Sequence, residues 1–399
     1  MIRCFHYSCE GESHKATGKV CQDFSLTSSM ERLTIAIVCD GHGGERYFRS
    51  DIGARYAAEV TLEVVSSFVK TVDICLFKNK PFTAIGPIST LSDTKDLSQL
   101  DFTFRQLFSS IIYRWNEKIN QHAHSVDLSE WERTHVPQKY LEEFSCSESF
   151  EKQYGCTMIA YVQTPDYWFA FQIGDGKCLS FQESPIWSEP IPWDDRCFLN
   201  KTTSLCDPSA LEEFRYCYQG DGHFPVAVIL GSDGLDDSFG EINNLANFYI
   251  QILKMLFNDG QKITEDSLKE TLPQLSKIGS KDDMSVACVY DPNALNSIIV
   301  NLIQNQIDLV LSQIHDVDTR IEAALTLLNS YDQMTSLDEK ARIGINYAQK
   351  DISKWQEERI KLLSKHDILT QQLSFTLSTK IINNGTTSSN KRNNGKMGQ

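Results

Sequence analysis

Between residues 295 and 378 the chain has no proline and a single glycine, Gly344. Sheets and loops need turn residues at short intervals, so a stretch this long without them is read as helix. Its apolar residues recur as Ile303, Ile307, Val310, Ile314, Val317, Ile321, Ala324 and Leu328. This 4-3-4-3 spacing is the signature of a coiled-coil seam. A break is expected over 329–336, and a second helix from about residue 337, with Ile352, Trp355, Leu362 and Leu369 on one side. A short connection makes two helices antiparallel neighbours, so 294–380 is expected to form a helical hairpin or arm. Its narrow stripe must pack on something: its own second helix, the rest of the chain, another copy or a protein partner. Residues 381–399 are polar and lack acidic groups, and are expected to be disordered.

Residues 1–293 have a different texture and read as one domain of mixed strands and helices. Short β-branched or aromatic runs at Leu33–Cys39, 157–163, Trp168–Ile173, 226–230 and Met284–Tyr290 predict strands. The turn sequence Thr164-Pro165-Asp166 predicts a hairpin between the second and third. Helical spacing appears over 55–70 and 104–119, and 71–100 reads as a long loop. The formal net charge of -15 argues against nucleic-acid binding, which needs clustered Lys and Arg, and against an anionic membrane surface. The twelve cysteines are scattered singly, without zinc spacing, and several lie in apolar runs. With no signal-like N-terminus and no apolar run approaching a membrane span, the expected setting is the reducing cytoplasm.

Five aspartates stand beside glycine or at strand ends. They are Asp23 in Cys21-Gln22-Asp23, Asp40 in Val38-Cys39-Asp40-Gly41-His42-Gly43-Gly44, and Asp175 in Gly174-Asp175-Gly176. The others are Asp233 in Gly231-Ser232-Asp233-Gly234 and Asp282 in Lys281-Asp282-Asp283-Met284-Ser285. Taken singly, each Asp-Gly is more often a turn than a ligand. Brought together, such carboxylates would repel one another or take up protons unless hard cations such as Mg²⁺ or Mn²⁺ held them. Two such cations also activate a water and clamp phosphoryl oxygens.

These strings, with Tyr154-Gly155-Cys156-Thr157, occur in an order that resembles the metal-dependent protein Ser/Thr phosphatases of type 2C, the PPM family. The resemblance covers about residues 9 to 290. Gly11-Glu12-Ser13-His14 and Thr202-Thr203-Ser204-Leu205 look like a bacterial subgroup. It implies an α+β fold: two antiparallel sheets packed face to face and flanked by helices, with the helical arm as an addition. It implies phosphoserine or phosphothreonine proteins as substrates, two or three Mg²⁺ or Mn²⁺ ions, and a metal-activated water as nucleophile. By match to its motifs, Asp40 would bridge two ions, the Gly41 carbonyl would bind one, and Asp233 and Asp282 the other. Asp23 would act through water, Asp175 with Asp233 would hold a weaker third ion, and His42 would be the general acid.

The sequence departs from the family at three positions. Gln22 stands where an acid is usual, Asp283 where Asn is usual, and Gly18 where a phosphate-binding Arg is usual. His14, Lys15 or Lys19 are the candidates to replace that Arg, although Lys and Arg are not equivalent phosphate ligands. The missing acid at Gln22 and the missing Arg at Gly18 favour an alternative, a phosphatase-like binding module with little turnover that recruits a partner through the arm, whereas the intact set Asp40, Asp233 and Asp282 favours the enzyme. A two-metal nuclease would fit the acidic cluster but not the net charge.

Overall fold

The computed structural model describes residues 1–88, 98–147, 149–197, 201–332 and 339–393. The chain divides into two compact units, Met1–Asn296 and Ser297–Gln399. The first holds two antiparallel sheets. One has the order β1 (Arg3–Cys9), β11 (Met284–Tyr290), β10 (Ala227–Gly231), β7 (Lys177–Phe181), β8 (Trp187–Ser188). The other has the order β2 (Phe24–Met30), β3 (Leu33–Cys39), β5 (Met158–Gln163), β6 (Trp168–Ile173), β9 (Arg215–Gln219), β4 (Thr83–Ile85).

Alternation along β3 shows how the layers are built. Ala36 and Val38 pack in one cluster with Ile159 of β5 and with Val228, Leu230, Ala287 and Val289 of the opposite sheet. Ile35, Ile37 and Cys39 point the other way, into a cluster with Ala54 and Ala57 of α2 (Ser50–Thr71) and Phe104 and Phe108 of α3 (Gln99–Ser125). Both faces are covered, so all seven residues of β3 are buried. A one-residue slip would exchange the two faces, which pins the register that places Asp40. The remaining helices of this unit are α1 (Glu12–Thr17), α4 (Glu130–His135), α5 (Gln138–Cys146), α6 (Ala210–Glu213), α7 (Asp233–Phe239), α8 (Ile242–Asn258) and α9 (Gln261–Ile278).

The chain thus has the α+β architecture of two antiparallel sheets with flanking helices. The expected hairpin is the β5–β6 pair. The expected loop over 71–100 instead contains a short helical turn, Ile74–Leu76, and strand β4, which pairs with β9. Part of it, 89–97, lies outside the described residues.

The second unit consists of most of α10 (Pro292–Asp332) and of α11 (Glu339–Asn393). Ile303, Ile307, Val310, Ile314 and Val317 are buried, whereas Gln304 and Asp308 are exposed. The two helices run antiparallel. Arg359 Nε lies 2.5 Å from Asp318 Oδ1, and a side chain at Gly344 would meet the Tyr331 hydroxyl. Helix α11 continues to Asn393, into the polar stretch expected to be disordered; that stretch has no proline to stop a helix. Residues 394–399 lie outside the described residues. One segment, Pro292–Tyr331, is long and apolar enough by composition to cross a membrane, with mean hydropathy 1.2 in its best window and 44% of that window buried. The expectation that no run approaches that length is corrected to this extent; a buried core helix passes the same test.

Candidate metal centre

The register of both sheets brings the acidic residues to one end of the sandwich. Asp23 precedes β2 and Asp40 follows β3, where Phe24 pairs with Cys39. Asp175 sits between β6 and β7, where the chain crosses from one sheet to the other. Asp233 opens α7 after β10, whose Gly231 pairs with Lys177, and Asp282 lies just before β11. Asp40, Gly41, His42, Asp175, Asp233 and Asp282 line a single cavity of about 760 Å³. Asp23 does not line it. It is 6% exposed, and its Oδ2 has no hydrogen-bond partner.

Two glycines are required by this geometry. A Cβ on Gly41 would lie 2.6 Å from the Gln22 carbonyl oxygen, which already accepts from the Gly41 amide at 3.1 Å. Gly174 has φ +111°, and a Cβ there would lie 2.3 Å from Thr157 Cβ. Its carbonyl accepts from the buried Arg215 guanidinium, which fixes the turn that carries Asp175.

The carboxyls of Asp40 and Asp233 line the same cavity, and neighbouring carboxylates repel, which raises the proton affinity of the set. Burial, then the charges of Asp233 and Asp23, push Asp40 well above the usual carboxylate range. Burial chiefly, with Asp175 and Asp282, raises Asp233 to about 7, against the opposing influence of Asp40. Asp23 is raised well above its ordinary value by burial and by Asp283, and Asp175 is raised by burial. An all-oxygen set of mutually repelling carboxyls fits hard divalent cations, whose charge would offset that repulsion.

His42 Nε2 lies 2.7 Å from Ser204 Oγ, and that hydroxyl donates to the Cys156 carbonyl at 3.0 Å. The serine proton is thereby used, which assigns the imidazole proton to Nε2. Tyr47 packs edge-on at 4.8 Å. Burial, and to a lesser extent Lys152, lowers the His42 pKa to about 4 against the opposing charge of Asp207.

The protein phosphatase 2C family matches residues 10–273 of the chain. The chain belongs to the protein phosphatase 2C family. Among solved structures it is similar to PppA, described as a regulatory component of the type VI system in Pseudomonas aeruginosa. The two are 15% identical, with TM-score 0.42, over 72% of this chain and 97% of that one. Stp1, a serine/threonine phosphatase from Staphylococcus aureus, is 13% identical with TM-score 0.42, over 73% and 95%. RsbX in complex with magnesium is 12% identical with TM-score 0.38, over 72% and 94%. No curated protein matches the chain in sequence.

The departures of this phosphatase 2C chain from its family have a local structural meaning. Asp283 accepts from the Gly11 amide at 2.6 Å and the Gln22 amide at 2.5 Å, and its Oδ2 lies 2.9 Å from His14 Nδ1. Burial alone would raise Asp283, but the contacts with His14, Gly11 and Gln22 outweigh it and hold the carboxyl below its ordinary value. For His14, burial is the largest single influence and lowers its pKa, but Asp283 outweighs it and raises the net value. His14, Asp282 and Asp283 also bring three ligand atoms within 4.8 Å of one another, but His14 and Asp283 are already engaged with each other. Asp283 therefore ties the loop after β1 to the start of β2. Asp283→Asn replaces a two-oxygen acceptor with one oxygen and an amide. It is expected to destabilise the protein by about 1–3 kcal/mol. The measurement is a urea midpoint that falls at unchanged slope.

The three residues expected to replace the phosphate-binding Arg do not reach the cavity. His14 is buried against Asp283, Lys15 is exposed elsewhere, and Lys19 Nζ donates to the Gly43 carbonyl at 2.8 Å. The cationic residues that do line it are Arg196 and Lys201. They were missed because neither belongs to a motif string, although the noted Thr-Thr-Ser-Leu string begins at the residue after Lys201. Thr202 and Ser204, from the noted Thr-Thr-Ser-Leu string, line it as well.

Proposed function

We propose that the chain hydrolyses phosphoserine and phosphothreonine on proteins, with a water activated by two Mg²⁺ or Mn²⁺ ions as nucleophile. The observation that carries this reading is the convergence of Asp40, Asp175, Asp233 and Asp282 with His42 on one cavity. Asp40, the Gly41 carbonyl, Asp233 and Asp282 would hold the two ions, and Asp175 with Asp233 a weaker third. When bound, such ions supply Lewis acidity to the water and the phosphoryl oxygens. Asp23, whose buried Oδ2 has no hydrogen-bond partner, would support the site through water. Lys201 meets the phosphate charge, Arg196 being held by Asp194 and Glu213, and His42 moves a proton to the leaving oxygen.

The test is manganese-dependent phosphate release from phosphopeptides, compared with Asp40→Asn. Release that is independent of manganese, or unchanged in the variant, sinks the reading. The alternative, a binding module with little turnover, is favoured by Gly18 standing where an Arg is usual. It predicts phosphopeptide binding without phosphate release.

For the helices after residue 293 we propose a role in protein partnering or self-association. Ended at residue 293, the chain is expected to stay folded and keep its basal turnover. Aggregation or loss of metal-dependent activity would instead make those helices part of the catalytic unit's packing.

A further inference from the structure

A second cavity, of about 460 Å³, lies beside the acidic one. Gly44 lines both, so the Gly43-Gly44 segment is the wall between them. Lys19 holds that wall in place through the Gly43 carbonyl. The second cavity differs in chemistry from the first. Val20, Phe48, Ile52, Trp131 and Val136 supply its apolar surface.

Its one buried ion pair is inward-facing and satisfied. Arg49, 2% exposed, lies 2.6 Å from Glu132 and also donates to Tyr154 and to the carbonyls of Val126 and Asp127. The same contacts fasten the segment from Val126 to Val136 onto the start of α2, directly after the Asp40 loop. Ser129 and Glu132 close a reciprocal cap on α4, so this wall is tied at both ends. The cavity is thus preformed, mostly apolar in surface although Asp51, Asp127 and His135 also line it, and of a size that holds a ligand side chain.

We propose that this pocket receives a large apolar side chain, aliphatic or aromatic, that flanks the phosphorylated residue of the substrate protein. The inference rests on the phosphatase reading above. Continuity with the acidic cavity decides the occupant: a peptide whose phosphate enters the acidic cavity crosses the Gly43-Gly44 wall next. An apolar side chain there removes apolar surface from water without leaving a buried charge unpaired.

The experiment is steady-state phosphate release from full-length protein with manganese. It uses phosphoserine peptides in which each flanking position carries Leu, Phe, Ala or Glu. At one flanking position, Leu or Phe is expected to raise kcat/KM over Ala by about tenfold or more, and Glu to lower it. That Leu-to-Ala ratio is expected to fall towards one in Trp131→Ala. Val20 is 62% exposed, so Val20→Asp tests the pocket mouth with little risk to folding, and the ratio is expected to fall there too. Equal kcat/KM for all side chains, or a preference that survives both substitutions, overturns the pocket assignment and leaves the phosphatase reading standing. A Trp131-dependent dimer in sedimentation would assign the pocket to a second copy and overturn it as well. Absence of release from every peptide instead overturns the phosphatase reading, and this inference with it.

Discussion

Asp40→Asn is expected to lower manganese-dependent phosphate release by about three orders of magnitude and to raise the melting temperature of the chelated protein. The two effects have one cause. Asp40 lines the cavity with Asp233, and burial and the neighbouring carboxylates raise the pKa of both. An Asn side chain carries no charge, which removes one carboxylate from the repelling set; stabilising substitutions of this size commonly add about 0.5–2 kcal/mol. It also removes a negative charge that would help to hold the two cations. Loss of several kcal/mol of such electrostatic assistance corresponds to about a thousandfold in rate.

The pH dependence follows from the direction of the shifts. Asp40 and Asp233 both have folded-state pKa values raised above the unfolded range, Asp233 to about 7. Their contribution to stability is fully present below about pH 4 and is lost as pH rises through the folded values. The chelated wild type is therefore expected to melt at progressively lower temperature between about pH 4 and 7. Manganese should reverse the trend, and Asp40→Asn should flatten it. Asp283 works in the opposite sense: its lowered value gives stability present above the unfolded range and lost only in more acidic solution. The lowered His42 value acts against this trend over the same window, so the decisive protein is chelated His42→Ala: a stability that rises over pH 4 to 7 there would show that the Asp40–Asp233 repulsion is not significant.

Strands β3, β6 and β11 were legible in the sequence because both of their faces are buried, giving continuous apolar runs. Strands β1 and β2 were not, because each is an edge of its sheet and mixes Ser, Thr, His or Arg with apolar residues. The same contrast holds at the site. Asp40 and Asp233 directly follow buried strands or strand ends and precede glycine, so local pattern reveals them. Arg196 and Lys201 reach the cavity through a chain path with no periodicity, and only the fold brings them there. His14 read as a phosphate ligand because it lies near Gly18. Its true neighbour, Asp283, is almost the whole domain away in sequence, and a pairing at that separation leaves no local trace.

His42→Ala is expected to slow phosphoserine release by about a hundredfold or more while slowing an activated aryl phosphate far less. A serine alkoxide is a poor leaving group and needs a proton as the bond to phosphorus breaks, whereas an activated phenolate does not. With its pKa lowered to about 4, His42 is protonated in only about one molecule in a thousand at pH 7. The rare protonated form is a correspondingly strong acid, so low population and high driving force oppose each other. Nε2 is tied to Ser204, which leaves Nδ1 as the position that gains and gives up the proton. The wild-type rate on phosphoserine should therefore carry a limb that falls as pH rises, a limb absent both from the aryl substrate and from His42→Ala. Ser204→Ala keeps the imidazole but releases its orientation, so it should move the phosphoserine rate in the same direction by a smaller factor. Equal losses on both substrates in His42→Ala, with the pH profiles unchanged, would mean that His42 only supports the Gly155 and Tyr47 contacts around it and moves no proton.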